Sequence, residues 1–289
     1  MKTLLLTALT MVTFAGNSLL CRLALDSYNM DPASFTSIRL ITGAITLWLL
    51  TAKKLQIKDH GSWPSALALF AYAACFSFAY VNLSASMGAL LLFGAVQVTM
   101  ISYGITHGEK LAKAQVTGLL AAIAGFAYLL WPGLSAPPLI PSSIMILSGI
   151  AWGAYSLLGK GALNPASVTA GNFLRSVPFT IVLSLVSIIL TQETSTGSSL
   201  GLPAILIATT SGAVTSGLGY TLWYKALPML KSTSASTVQL SVPIITAFAG
   251  IIFLNESMSQ RLLISSLAIL GGITLVITQK QQKQRTADS

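Results

Sequence analysis

Acidic residues are nearly missing from this chain: 7 Asp and Glu in 289 residues, beside 16 Lys and Arg, leave 8% of positions charged, where a soluble domain carries roughly 25%. So few carboxylates cannot keep a surface of this size in water, which excludes a soluble globular fold. Cysteine and histidine are as scarce, at two each. Cys21 and Cys75 lie in apolar stretches, and His60 and His107 stand far apart with no acidic neighbour at ligand spacing. Neither a disulfide framework nor a metal site is therefore expected. Gly149 to Gly153 lies inside an apolar run without the strand and Lys of a phosphate loop, and no cofactor is expected. The net charge of +9 is scattered between apolar runs with no aromatic-interleaved basic stripe, which excludes nucleic acid as a partner.

What the chain has instead is 54% apolar residues, gathered into runs of about 20, the length that crosses a bilayer. The breaks between runs predict an all-α integral membrane protein of ten transmembrane helices. They lie near Thr3–Cys21, Ala33–Ala52, Trp63–Val81, Met87–Thr106, Ala114–Trp131, Pro141–Gly159, Ser167–Leu190, Pro203–Trp223, Ser232–Leu254 and Leu262–Thr278. Ten spans leave no room for a soluble catalytic domain. Ser18-Leu19-Leu20-Cys21 has the outline of a lipoprotein cleavage site, but Leu20 is too bulky before a cleaved Cys, and the segment recurs later as an ordinary span.

Cytoplasmic loops retain Lys and Arg. Lys2, Lys53, Lys54, Lys58, Lys110, Lys113, Lys160, Lys225, Lys231, Lys280, Lys283 and Arg285 fall on one side of the predicted spans, and only Arg22 and Arg261 on the other. Both termini are thus expected in the cytoplasm, with the protein in the cell (inner or plasma) membrane. Arg39 and Arg175 fall inside spans.

The two halves repeat. Ser18–Leu25 resembles Ser156–Leu163 at an offset of 138, Asp31-Pro32-Ala33-Ser34 resembles Asn164-Pro165-Ala166-Ser167, Arg39 has Arg175 as counterpart, and Glu109 with Gly125 answers to Glu256 with Gly272. Spans one to five recur as six to ten. Because five is odd, the second copy enters the membrane inverted, an arrangement of many secondary transporters. The expected divisions are 1–135 for the first repeat, 136–280 for the second and 281–289 for a cytoplasmic tail.

With Pro32, Arg39 and Gly108-Glu109 in one copy and Pro165, Arg175 and Asn255-Glu256 in the other, the chain resembles the EamA-type transporters of the drug/metabolite transporter superfamily. Asn255 departs from the usual Gly, and Pro243 has Val96 opposite it. The resemblance implies two five-helix halves around a central cavity lined mainly by helices one, three, four, six, eight and nine. It also implies export or exchange of small metabolites.

Polar side chains within a span are costly unless they face a cavity or a partner, which makes them functional candidates. Phe14, Asn17, Ser18 and Cys21 share a face of span one, and Trp152, Tyr155, Ser156 and Gly159 the corresponding face of span six; the two faces should meet. Trp48, Trp63, Trp131 and Trp223 lie near span ends as an interfacial belt requires, whereas Trp152 lies too deep for one. Gln97, Tyr103 and Gln239 are candidate substrate contacts, the last beside a carbonyl that Pro243 should free four residues on. Tyr80, Tyr220 and Tyr224 lie near span ends, where a belt competes with a substrate role. Arg39 and Arg175 read as snorkelling anchors, and Glu109 and Glu256 as helix ends paired with Lys110 and Arg261. Gly212, Ser216, Gly219, Gly271 and Gly272 read as small-residue helix contacts.

A membrane-embedded enzyme would need convergent His, Asp, Glu or Cys at the midplane, and a channel would need rings of like groups. The spans offer neither, and the expected function is alternating-access transport of a small-molecule substrate within the lipid bilayer; the sequence leaves the oligomeric state open, a monomer being compatible with this reading. All seven acidic residues fall in loops, tails or at span ends, so neutral, zwitterionic or weakly anionic metabolites such as amino acids are favoured over lipophilic cations.

Overall fold

Each apolar run folds as a helix, and the residues that interrupt the runs start and stop them. The computed structural model describes residues 2–51, 60–108, 113–133, 136–159, 164–191, 201–226 and 238–287, and among these there is no strand. Helix α1 (Lys2–Arg22) is extended by a π-helical turn (Leu23–Ser27). There follow α2 (Pro32–Thr51), α3 (Trp63–Tyr80), α4 (Ala85–Thr106), α5 (Lys113–Leu130), α6 (Leu139–Leu158) and α7 (Pro165–Thr191). The eighth rod has three parts: α8 (Leu202–Thr210), a π-helical segment (Ser211–Leu218) and α9 (Gly219–Ala226). Helices α10 (Ser241–Leu254) and α11 (Gln260–Ala287) complete the bundle. Eight rods are long and apolar enough to cross a membrane; Ser241–Leu254 and Gln260–Leu275 are shorter apolar helices among the described residues.

The repeated Asp31-Pro32 and Asn164-Pro165 are helix starts. Asp31 Oδ2 accepts from the Ser34 N–H at 2.8 Å and Asn164 Oδ1 from the Ser167 N–H at 3.4 Å, while each Pro takes the first helical position, where no N–H is needed. Ser62 and Ser84 cap α3 and α4 in the same way. Asn255 ends α10 at φ +52. Asn tolerates that left-handed conformation, so it stands in for the usual Gly there.

Helix α5 packs on α11, α2 on α7 and on the π segment, α3 and α4 on α6, α1 on the eighth rod and on α10, and α4 on α10. Two glycines set close approaches between rods. A Cβ at Gly212 would strike Thr42 Oγ1 and the Arg39 carbonyl, and one at Gly272 would strike the Gly118 carbonyl and lie 2.8 Å from Ala122 N. Gly271, expected to make such a contact, has nothing within 4 Å, since it faces outward one residue round the helix. Pro243 also differs from expectation. It lies in the first turn of α10, where a missing N–H breaks no hydrogen bond, so it frees no carbonyl within a continuous helix. The expected start of span nine, residues 232–237, lies outside the described residues.

Candidate functional site

Helices α1, α3, α4, α6 and α9 converge on an aromatic junction. Phe14, Asn17 and Ser18 of α1, Tyr72 and Phe76 of α3, Leu92 and Phe93 of α4, Trp152 of α6 and Tyr220 of α9 wall a cavity of about 10 Å³. That is room for one water, far less than the roughly 300 Å³ of a small ligand pocket, so in this conformation the side chains fill the junction themselves. Trp152 stands at its centre. Its ring centroid lies 4.8 Å from Tyr72, 4.9 Å from Tyr220, 5.6 Å from Tyr155 and, edge-on, 5.9 Å from Phe14. The faces of spans one and six thus touch through Phe14 and Trp152.

A polar seam runs beside the rings. Asn17 Nδ2 donates to Tyr72 Oη at 3.3 Å, and its Oδ1 accepts from Ser211 Oγ at 2.7 Å and Thr215 Oγ1 at 3.2 Å on the π segment. Ser148 Oγ of α6 donates to the Tyr72 carbonyl at 2.9 Å, fixing the α3 backbone where Tyr72 turns inward. Behind Tyr72, Phe76 and Tyr220 lies Arg39, which is 1% exposed. Its Nε donates to Ser216 Oγ at 3.0 Å and its Nη2 to Tyr72 Oη at 3.0 Å and Tyr220 Oη at 3.4 Å. Its guanidinium carbon lies 5.1 Å from the Tyr72 centroid and 5.0 Å from that of Phe76.

Arg39 therefore does not snorkel. Seven residues into α2, it points at the neighbouring rods instead of along its own helix to the surface, because their hydroxyls and ring faces receive it. Arg175 is a partly buried anchor, donating to the His60 and Gly171 carbonyls, close to Asn172, whose Oδ1 accepts from the Ser62 N–H. Glu256 is not paired with Arg261. Its Oε1 accepts from the Ala85 N–H at 2.6 Å and its Oε2 from Ser86 N and Oγ at 3.3 Å, because the unsatisfied N–H groups and positive dipole end of α4 offer a carboxylate both donors and a favourable field. Arg261 donates to the Trp131 carbonyl and lies over Tyr128.

Of the other sequence-stated candidates, Asn17, Trp152 and Tyr220 meet at the cavity wall. Tyr155 is buried beside Trp152. Tyr80 is buried away from the wall, its ring on Phe76 and its hydroxyl donating to the Ala85 carbonyl at 3.2 Å. Gln97 and Gln239 are buried off the wall, and Tyr103 is 44% exposed, stacked on His107. Trp223, expected in the interfacial belt with Trp48, Trp63 and Trp131, is 5% exposed and packs on Phe14 at 6.0 Å, whereas the other three are exposed. Glu109 and the side chain of Tyr224 lie outside the described residues. Tyr72, Phe76, Leu92 and Phe93 were not singled out from the sequence. The depth argument that marks Trp152 applies equally to Tyr72, midway along α3.

The model of a family described as EamA-like transporters matches residues 140–278. An uncharacterized protein of Pseudomonas aeruginosa is 47% identical, over 96% of each chain. An uncharacterized transporter of Archaeoglobus fulgidus is 24% identical, over 97% of this chain and 99% of its own. A probable terminal-alkyne amino-acid exporter of Streptantibioticus cattleyicolor is 21% identical, over 97% and 95%. A solved crystal structure shares the fold, with a TM-score of 0.66 at 15% identity over 97% of this chain and 98% of its own.

Proposed function

The chain belongs to the EamA-like transporter family, and from that premise we propose that it exports small amphipathic metabolites, amino acids foremost, by alternating access around the junction at Trp152. It is a multi-pass membrane transporter of a small-molecule substrate and not an enzyme. The observation that carries the proposal is the junction itself, where an aromatic wall and the Asn17 amide meet between α1, α3, α4, α6 and α9. Rings suit an apolar body and an amide a polar head. The family likeness implied a cavity lined by helices one, three, four, six, eight and nine; all but the ninth span supply wall residues among those described.

Two halves, 1–135 and 136–280, rocking against one another would open this closed junction to either side in turn. The helix pairing supports that division: α3 on α6 has its counterpart in the eighth rod on α1, and α4 on α6 in α10 on α1. The excess of Lys and Arg on one side supports cytoplasmic termini in the cell membrane. The name of the Streptantibioticus relative supports export of an amino acid.

Aromatic walls also suit quaternary ammonium ions, and efflux of lipophilic cations is the second reading. Arg39 opposes it, since its charge already lies against the Tyr72 and Phe76 rings. Everted vesicles separate the two. Saturable amino-acid uptake, competed by other amino acids and absent from empty-vector vesicles, is the expected result. Saturable uptake of a quaternary ammonium dye, abolished by Glu109→Gln and with no amino acid competing, would replace the assignment by cation efflux.

A further inference from the structure

We infer that Arg39 is the carboxylate receptor of the pathway, reached by the substrate when the Tyr72 and Tyr220 hydroxyls give way. The inference rests on the reading of the Trp152 junction as the substrate site. Arg39 carries a full charge in the middle of the bundle, and no carboxylate among the described residues pairs with it. Its hydrogen-bonding partners there are the neutral hydroxyls of Tyr72, Ser216 and Tyr220, and its Nη1 has none among the described residues. A buried charge compensated by dipoles alone is costly, and a mere crosslink between α2, α3 and the eighth rod could be made by an uncharged amide without that cost. What the arrangement lacks is an anion with two oxygens, the partner to which a guanidinium fork is matched.

The layout also says where that anion comes from. Tyr72, Phe76 and Tyr220 touch Arg39 on one side and wall the cavity on the other, so the receptor stands one side chain behind the junction. Hydroxyl ligands are weaker than a carboxylate and rotate away without breaking a helix. A substrate carboxylate between Tyr72 and Tyr220 takes over the Nη2 and Nη1 donors, while its apolar body replaces the self-filling ring packing around Trp152. An α-ammonium group then lies among ring faces that favour a cation, close enough to its own carboxylate to offset the repulsion of Arg39. The ligand class is a compact carboxylate with an apolar body, zwitterionic amino acids above all; a lone cation meets the Arg39 charge with nothing to offset it.

The test uses the purified full chain in proteoliposomes, with leucine, phenylalanine and tryptophan, the methyl ester of each, and the amine left by removing each carboxyl group. The expected result is an apparent KM at least about tenfold lower for acids than for their esters and amines, as for other charge-assisted pairings. Arg39→Gln brings that ratio close to one, and Arg39→Lys retains part of it. If Arg39→Gln does not fold, Tyr72→Phe decides: freeing Nη2 of the nearer of its two hydroxyl partners raises the acid-to-ester preference, whereas a purely structural Arg39 predicts the same loss for all three compounds. Equal handling of acids and esters by the wild type, or an acid preference that survives Arg39→Gln, overturns the assignment and leaves the transport reading standing. Transport of none of the nine compounds overturns the amphipathic-metabolite reading, and the carboxylate receptor with it.

Discussion

At Trp152 one indole touches four other rings, so its removal opens the junction that a substrate would have to fill. Trp152→Ala is expected to lower transport by about tenfold or more, the equivalent of about 1.4 kcal/mol, at normal membrane levels of protein, and Trp152→Phe to restore part of it. Gln97→Ala, made off the wall, is expected to change flux less; the reverse order in a vesicle assay would move the site toward α4. Glu256 gives a stability test instead. Glu256→Ala removes the acceptor from the start of α4 at a cost of about 1 kcal/mol, or a melting shift of about 2–4 °C, and Glu256→Gln costs less because its amide oxygen still accepts from Ala85. Equal melting of all three proteins would show that the cap carries no stability. The sequence marks Trp152 because depth along a span can be counted. It misleads at Arg39 because the count gives depth but not direction, and the receiving Tyr72 and Tyr220 are far away along the chain.

Among the elements, some helix starts are legible: Asp31-Pro32 and Asn164-Pro165 supply a cap and a fixed φ in both halves, although α4 starts at Ala85, two residues ahead of the expected Met87. The π segment Ser211–Leu218 is not, since no residue type marks such a widening, and its course is set by Asn17, Arg39 and Thr42 lying against it. The two neighbouring glycines of α11 offer a matched comparison. Gly272→Ala drives a methyl into the α5 backbone and should lower the melting temperature by several degrees, as overpacking costs about 1–3 kcal/mol. Gly271→Ala meets open space and should be neutral or, by about 1 kcal/mol of helix propensity, stabilising. Similar losses from both would mean that α5 and α11 pack on a different face. Gly212→Ala belongs with Gly272→Ala, because it separates the eighth rod from α2.

For the whole molecule, hydropathy and charge carry most of what the sequence tells: ten apolar runs, their order and the lopsided placement of Lys and Arg need no tertiary information. The cavity wall needs it, because five rods contribute and each contributes only one to three residues. The orientation remains open to a direct check. In a background without Cys21 and Cys75, cysteines at Lys58 and Lys160 and a tag after Ser289 should be reached only from the cytoplasm, and a cysteine at Glu193 only from outside. External labelling at Ser289 would break the ten-span arrangement. The small size of the junction also bears on the movement of protons. Protons move through proteins along chains of hydrogen-bonded water, and a junction with room for one molecule supports no such chain, so in this conformation protons have no water-borne route through it.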